Sequence, residues 1–164
     1  MAELPAIVAT LLPQLGGSIV GFKAAREFDS DWQKKLIRAP WSPPGWVFGP
    51  MWTALYSGMG FASYLVWRDG NGFKGPAALP LAAYGTQLAL NWAWTPLFFG
   101  CHSPKWGLID ISLLDVAVWT TTALFYKVNR NAGHLMIPYI SWLAIATSLN
   151  YYIYKHNPEE EKEE

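Results

Sequence analysis

Few side chains in this sequence have the type and spacing that acid–base or metal chemistry needs. His102, His134 and His156 stand far apart, whereas metal-binding histidines come in closely spaced sets. Asp110 and Asp115 are five residues apart, so a helix would place them on different faces. One cysteine excludes an internal disulfide within this sequence. We therefore predict no catalytic residues and no metal site.

Aromatic residues are the abundant group, because the chain contains ten tryptophans. The stretch APWSPPGWVFGPMWTALY, residues 39–56, contains four prolines and three of those tryptophans. Trp41, Pro43 and Pro44 stand at the end of a long loop, and proline-stiffened loops of this length can cover a cavity as a lid. Many rings inside a helical bundle favour a pocket for a flat apolar ligand. For any single ring, packing between helices is the simpler explanation.

The elements that position these rings follow from hydropathy. Hydrophobic residues make up 52% of the chain and charged residues 15%, against about 25% charged in typical soluble proteins. Four runs without charge, and a fifth with only two aspartates, each reach the ~18–20 residues that a helix needs to cross a bilayer. We predict an all-α membrane protein, a five-transmembrane-helix bundle with helices at about 4–25, 44–67, 76–101, 105–126 and 134–155.

The remaining segments complete this division of the chain. One transmembrane domain covers residues 1–157, with a lid loop at 26–43, and an acidic tail at 158–164 is expected to be disordered. Four basic residues lie on the side of the N-terminus and eight on the side of the first loop and the C-terminus. The positive-inside rule therefore places the C-terminus in the cytosol. Zero net charge gives no reason to expect a nucleic-acid partner.

Helical spacing also predicts which polar groups face the protein interior. Gln87, Asn91 and Thr95 form one stripe at intervals of four, and polar groups in lipid should face other helices. Asp115 lies deep in the fourth span and needs a polar partner or a proton, whereas Asp110 is expected near the interface.

Three motifs closely resemble the translocator protein family, also called the peripheral benzodiazepine receptor or tryptophan-rich sensory protein family. They read APWSPPGWVFGPMWTALYSGMGFASYLVW, QLALNWAWTPLFFG and LNYYIYK. The resemblance extends over residues 4–157 and is closest to animal members. It implies a multi-pass receptor or transport protein of the outer mitochondrial membrane that is linked to cholesterol import and steroid synthesis. It also implies binding of cholesterol, porphyrins and isoquinoline carboxamide or benzodiazepine drugs beneath the first loop.

The resemblance implies two sets of binding residues. The expected drug pocket consists of Phe22, Ala25, Phe48, Gly49, Met51, Trp52, Trp94, Trp106, Leu113, Trp142, Ala146 and Leu149. Phe22, Ala25, Phe48 and Gly49 differ from the side chains expected in mammalian members. The family's cholesterol motif corresponds to Leu149, Tyr151 and Lys155, where Lys155 replaces an arginine. The resemblance implies no bound cofactor beyond non-covalent cholesterol, protoporphyrin or haem. The expected partners are membrane lipid, a second copy of the chain in a homodimer, and outer-membrane channels.

Two other functions remain open from the sequence. One is an enzyme that degrades porphyrins, as suggested for some bacterial relatives, in which Trp41 and Trp52 would lie beside the tetrapyrrole. The other is a scaffold of outer-membrane assemblies, for which the small-residue faces of the helices would suffice. Turnover of protoporphyrin distinguishes the enzyme from a receptor, which would bind it stoichiometrically.

Overall fold

The computed structural model describes residues 3–27 and 30–158, with the side chains of residues 3, 23–25 and 27 excepted. Its helices are α1 (Glu3–Glu27), α2 (Asp31–Lys35), α3 (Gly45–Asp69), α4 (Ala78–Thr95), a π-helical segment (Pro96–Gly100), α5 (Pro104–Val128), α6 (Arg130–Leu135) and α7 (Ile137–His156). The described part of the chain has no strand. The predicted all-α class is confirmed for these residues, whereas most of the acidic tail, 159–164, lies outside them.

Three helical stretches are long and apolar enough to cross a membrane. They are Leu4–Phe22, Pro104–Val128 and Arg130–His156, the last of which joins α6 and α7. α3 and α4 are uncharged over most of their length. Both contain tryptophans, tyrosines and glycines, and α4 also contains side-chain amides, and these residues score poorly on hydropathy scales. The prediction of a membrane protein with several apolar helices is therefore confirmed, and spanning by α3 and α4 stays a prediction.

The long helices pack against one another, and the hydrophobic core consists mainly of residues of α3, α4, α5 and α7. α1 contacts α3 and α4, α4 contacts α5, and α5 contacts α7, while contact between α3 and α7 is sparse. The order around the bundle is therefore α1, α3, α7, α5 and α4. The backbones of α1 and α3 approach closely at Gly60, where a Cβ atom would lie 2.5 Å from the Ala9 carbonyl oxygen. Glycine permits this contact, as small residues do between membrane helices.

The structure differs from the predicted 76–101 helix at its second end. Pro96 has no N–H for the α-helical ladder, and the chain continues with hydrogen bonds five residues apart, from Cys101 N to the Pro96 oxygen at 3.0 Å and from Ser103 N to the Phe98 oxygen at 3.2 Å. The turn that follows ends at Ser103, whose hydroxyl accepts from Trp106 N and caps α5.

Two further predicted boundaries differ. The last helix is preceded by a separate helix, α6, because the Asn129 side chain accepts from Ala132 N and starts a helix there. Pro138 then lies in the first turn of α7, where a missing N–H costs nothing. The predicted lid loop, 26–43, is shorter than expected because α1 continues to Glu27, and it contains α2, which Ser30 caps.

Candidate functional site

Aromatic rings lie between α3 and α7, whose backbones make few close contacts. The ring centroids of Phe48 and Trp142 are 5.6 Å apart, and those of Trp52 and Tyr139 are 6.1 Å apart, both in edge-to-face geometry. Such pairs contribute ~0.5–1.5 kcal/mol beyond the area that they bury. Side-chain rings, rather than close backbone contact, therefore set the distance between α3 and α7.

One polar atom in this cluster is unpaired. Trp142 is only 6% exposed, and its indole N–H has no hydrogen-bond partner among the described residues. An unsatisfied buried donor costs about 1–3 kcal/mol. An acceptor atom of a bound molecule would remove that cost.

A hydrogen-bonded network lies beside the rings and joins three helices. The Tyr56 hydroxyl donates to Asn91 Oδ1, Asn91 Nδ2 donates to the Tyr139 hydroxyl at 2.8 Å, and that hydroxyl donates to Gln87 Oε1 at 3.1 Å. Gln87 and Asn91 are buried, as the predicted inward stripe requires. Because the network satisfies buried groups on α3, α4 and α7 together, it fixes the orientation of Tyr139.

Several of the residues expected in the drug pocket meet in or against this core. Trp142 belongs to the buried core, and Phe48, Met51, Trp52, Trp94 and Ala146 pack against it partly exposed. Leu149 is also buried. Trp94 is held by two neighbours: its indole N–H donates to Asn150 Oδ1 at 2.9 Å, and its ring stacks on Phe98.

Other expected pocket residues lie apart from this cluster. Phe22, Trp106 and Leu113 expose 63%, 54% and 56% of their surface and lie outside the hydrophobic core. Gly49 is exposed, and a Cβ atom there would meet nothing within 4 Å. The side chain of Ala25 lies outside the described residues. The structure therefore places most of the α3 and α7 members of the set, and Trp94 of α4, in or against the core, and it leaves Gly49 and the described α1 and α5 members at the surface.

The loop before α3 is attached to α7 by two contacts. The Trp41 indole N–H donates to Ser148 Oγ at 3.3 Å, and its ring packs edge-on against Tyr152 with centroids 5.2 Å apart. Asn157 forms a reciprocal pair with Ile37, accepting from Ile37 N at 2.8 Å and donating to Ile37 O at 3.0 Å. We call the reciprocal pair of Ile37 and Asn157 the α7 latch. Pro43 and Pro44 follow it, the first half-buried and the second exposed.

The first part of the same loop contacts the turn between α4 and α5. Trp32 in α2 packs against Phe98 at 5.7 Å and against the His102 ring at 4.8 Å between centroids. The loop therefore crosses the end of the bundle from the turn between α4 and α5 to the end of α7. Trp41, which the sequence places in the predicted lid, contacts α7. The sequence did not single out Trp32, Ser148 or Asn157 as lid contacts, because nothing in their local pattern indicates partners so far away in the chain.

The residues of the cholesterol motif point in different directions. Leu149 is buried, whereas Tyr151 is 53% exposed and Lys155 is exposed as well. Tyr151 and Lys155 are one helical turn apart and share an outer face. Tyr152, between them, packs against the lid through Trp41. α7 therefore presents a lid-facing side and an outer side at the same level.

The aspartates of α5 have different surroundings. Thr147 donates to Asp115 Oδ2 at 2.9 Å, which is the polar partner that the sequence predicts. Asp110 is only 4% exposed, on the packed face of α5, and its expected depth near the membrane interface stays a prediction. Its Oδ2 atom has no partner in the described part of the chain. No three His, Cys, Asp or Glu side chains gather as a metal would require among residues that the structure describes.

Tyr139 is the main residue of the site that the sequence did not single out. It is fully buried, its ring contacts Trp52, and its hydroxyl is hydrogen-bonded within the polar network. A signal for it existed, because Tyr139 precedes Trp142 by three residues, and positions three apart share a helix face.

Comparison with known proteins agrees with the motifs and the helical fold. Residues 9–155 match the model of the TspO/MBR family. The chain is 44% identical to the human Translocator protein over 154 residues, which cover 94% of this chain and 90% of that protein. It is 42% identical to the bovine Translocator protein with the same coverage. It is 36% identical to the Tryptophan-rich protein TspO of Archaeoglobus fulgidus, over 92% of this chain and 96% of that one.

Proposed function

The chain belongs to the TspO/MBR family, and from this premise we propose that it is a membrane receptor or transport protein with a ligand site between α3 and α7. The ligands are flat and largely apolar: porphyrins and synthetic isoquinoline carboxamide or benzodiazepine drugs in this site, and cholesterol on the outer face of α7. The protein lies in the outer mitochondrial membrane with its C-terminus in the cytosol, and it serves cholesterol import and steroid synthesis.

The observation on which this proposal chiefly rests is the ring-filled gap beneath the lid. Sparse helix contact and rings in edge-to-face pairs leave a region that a flat molecule enters by displacing or turning rings. The unpaired Trp142 N–H offers one donor for an acceptor on that molecule. The loop crossing from Trp32 to Asn157 closes the end of the site and slows release.

Five helices span the bilayer in this proposal. α3 contains the charge-free run Trp46–Trp67, and the run Pro76–Cys101 includes α4 and the π-helical segment. Their lower hydropathy comes from polar and aromatic groups, several of which face the core, such as Gln87, Asn91 and Tyr56. Helices with satisfied polar groups inside and apolar groups outside are suited to lipid.

The test compares two substitutions on α7. Ala146 is half-buried against the ring cluster, whereas Ala144, two residues earlier, is exposed. Ala146→Phe adds volume at the site and should weaken isoquinoline carboxamide binding by about tenfold or more, equivalent to about 1.4 kcal/mol. Ala144→Phe, the matched control, should leave the Kd unchanged. Equilibrium binding to purified protein in detergent measures both, with circular dichroism as the check on folding.

Unchanged affinity in folded Ala146→Phe would place the ligand elsewhere and contradict the proposal. Protoporphyrin in light and in darkness provides the second arm. A receptor binds it stoichiometrically and releases it unchanged. Sustained consumption over many equivalents would instead make the protein a porphyrin-degrading enzyme, and a protein that binds none of these ligands would be a scaffold for partner proteins.

A further inference from the structure

A groove opens on the outer surface where the chain leaves α5 and turns through α6 into α7. Its volume is about 550 Å³, and it lies at the other end of the bundle from the lid. Most of its wall is aromatic or aliphatic, and basic groups stand at one end. The residues that matter to the argument are Trp119, Ala123, Tyr126, Lys127, His134 and Ile137.

Close packing shapes this groove. A Cβ atom at Gly133 would lie 2.7 Å from Tyr126 Cβ, so α6 approaches α5 as nearly as glycine allows. Tyr126 is held from two further sides, by the His134 ring at 5.6 Å between centroids and by the Arg130 guanidinium 6.0 Å above the ring. The tyrosine wall of the groove is therefore fixed by its neighbours.

Polarity changes along the groove. Lys127 lies in the last turn of α5, and Trp119 lies eight residues earlier, about 12 Å along the helix axis. Trp119 is 62% exposed and Ile137 is 52% exposed, as side chains in contact with lipid tails can be. With α5 across the bilayer, the basic end lies at headgroup level and the apolar end reaches into the hydrocarbon.

The charges near the groove favour an anion. No described carboxylate lies within ion-pair distance of Lys127 or Arg130. The neighbouring Asp69 is paired with Arg68 at 2.6 Å and accepts a hydrogen bond from Asn129. These two hydrogen bonds, the Arg68 one first, hold the pKa of Asp69 below its ordinary value, so this carboxylate stays ionised and is largely neutralised by its partner.

We propose that this groove binds one anionic phospholipid of the surrounding bilayer. The headgroup phosphate lies beside Lys127 and His134, and one acyl chain follows Trp119, Ala123 and Ile137. Basic pockets next to membrane helices recognise such headgroups by charge, and the apolar wall selects a molecule that has a tail. The site is independent of the ligand site beneath the lid, which lies at the other end of the bundle.

Native mass spectrometry of the full-length protein tests the proposal with phosphatidylglycerol and phosphatidylcholine of identical acyl chains. The protein should retain one phosphatidylglycerol in preference to phosphatidylcholine. Lys127→Gln should reduce that preference about fivefold, the factor that corresponds to about 1 kcal/mol for one basic residue near an anionic surface. Lys74→Gln, which removes a charge at the same end but outside the groove, is the matched control and should leave the preference unchanged.

Four results would overturn the proposal. Equal retention of both lipids would show that the groove does not select an anionic headgroup. Equal losses of the preference in Lys127→Gln and Lys74→Gln would show that diffuse surface charge, and not the groove, holds the lipid. A second variant, Ala123→Trp, fills the apolar part and should release the bound lipid. If that variant keeps its lipid, or if it changes only the oligomeric state, the groove is not a lipid site. Binding of an isoquinoline carboxamide to each variant reports that the bundle is folded.

Discussion

At the scale of single residues, α7 shows how neighbouring positions take different tasks. Trp142 and Leu149 face the core, Ser148 and Tyr152 contact the lid, and Tyr151 faces outward. Successive residues of a helix are separated by about 100°, so one helix can line a pocket, hold a lid and contact lipid over about three turns. Changes at Tyr151 should therefore affect different ligands from changes at Ala146.

Tyr151→Ser and Lys155→Leu should each reduce cholesterol binding while leaving drug affinity unchanged. The exposed Tyr151 ring offers an apolar platform for the sterol, and the Lys155 ammonium, one turn further, reaches its hydroxyl at headgroup level. Photo-crosslinking with a sterol analogue measures the site directly. Phe61→Ser removes a comparably exposed ring, 43%, from α3 and should have no effect. If the sterol analogue labels Trp52, and cholesterol competes for labelling of Tyr151→Ser as it does for the parent protein, sterol and drug share one site.

At the scale of elements, the lid is held at two ends by contacts of different kinds. α2 places the Trp32 ring on Phe98 and His102, whereas in the α7 latch the Asn157 side chain accepts a hydrogen bond from Ile37 N and donates one to Ile37 O. A polar contact at an exposed helix end exchanges with water more readily than a packed ring leaves its neighbours. The latch is therefore the end at which the lid should open first.

Asn157→Ala should raise the ligand off-rate by about tenfold, because it removes two hydrogen bonds that contribute ~0.5–1.5 kcal/mol each to the closed lid. Stopped-flow release of a pre-bound drug measures the rate. Asn131→Ala, at an exposed position of the opposite end, is the control.

Replacing Pro43 and Pro44 by alanine should also raise the ligand off-rate, because it loosens the loop, and it should change the melting temperature less than the off-rate. Off-rates equal to the parent's in both lid variants would show that the loop does not close the site.

At the scale of the whole molecule, the bundle has two ends of different character. One end contains the lid, Cys101 and the end of α7, and the other contains the Asp69–Asn129 contact and the lipid groove. In the topology that we propose, with five spans and a cytosolic C-terminus, the first end is expected to face the cytosol and the second end the intermembrane space. The native cysteine offers a direct readout because it is the only one in the sequence and is exposed.

Cys101 should react in intact mitochondria with a polymer-linked maleimide too large for outer-membrane pores. Cys101→Ser should abolish the reaction. Lys74→Cys in that background should react only after the outer membrane is opened, because Lys74 lies at the other end of the bundle. A gel shift measures both. The reverse pattern would invert the topology, and reaction of both cysteines in intact mitochondria would contradict the odd number of spans.

The amino-acid sequence by itself determined the helical class, the extent of the charge-free runs and the burial of Gln87 and Asn91. These depend on hydropathy and on the angular period of a helix, and both act locally. The breaks at Pro96 and Met136 were missed because several helices of this chain contain a proline without ending there, as at Pro13 and Pro50.

Only the tertiary structure decided which faces meet. Helical periodicity says which residues share a face and does not say which helix covers it. The resemblance implied that Trp106 and Leu113 belong to the same pocket as Trp142, and both lie exposed. The pairing of Ile37 with Asn157 joins positions 120 residues apart, and such contacts depend on the order of helices around the core, which no local pattern contains. The ring-filled contact between α3 and α7 has the same origin, because the distance between these helices depends on how all five pack together.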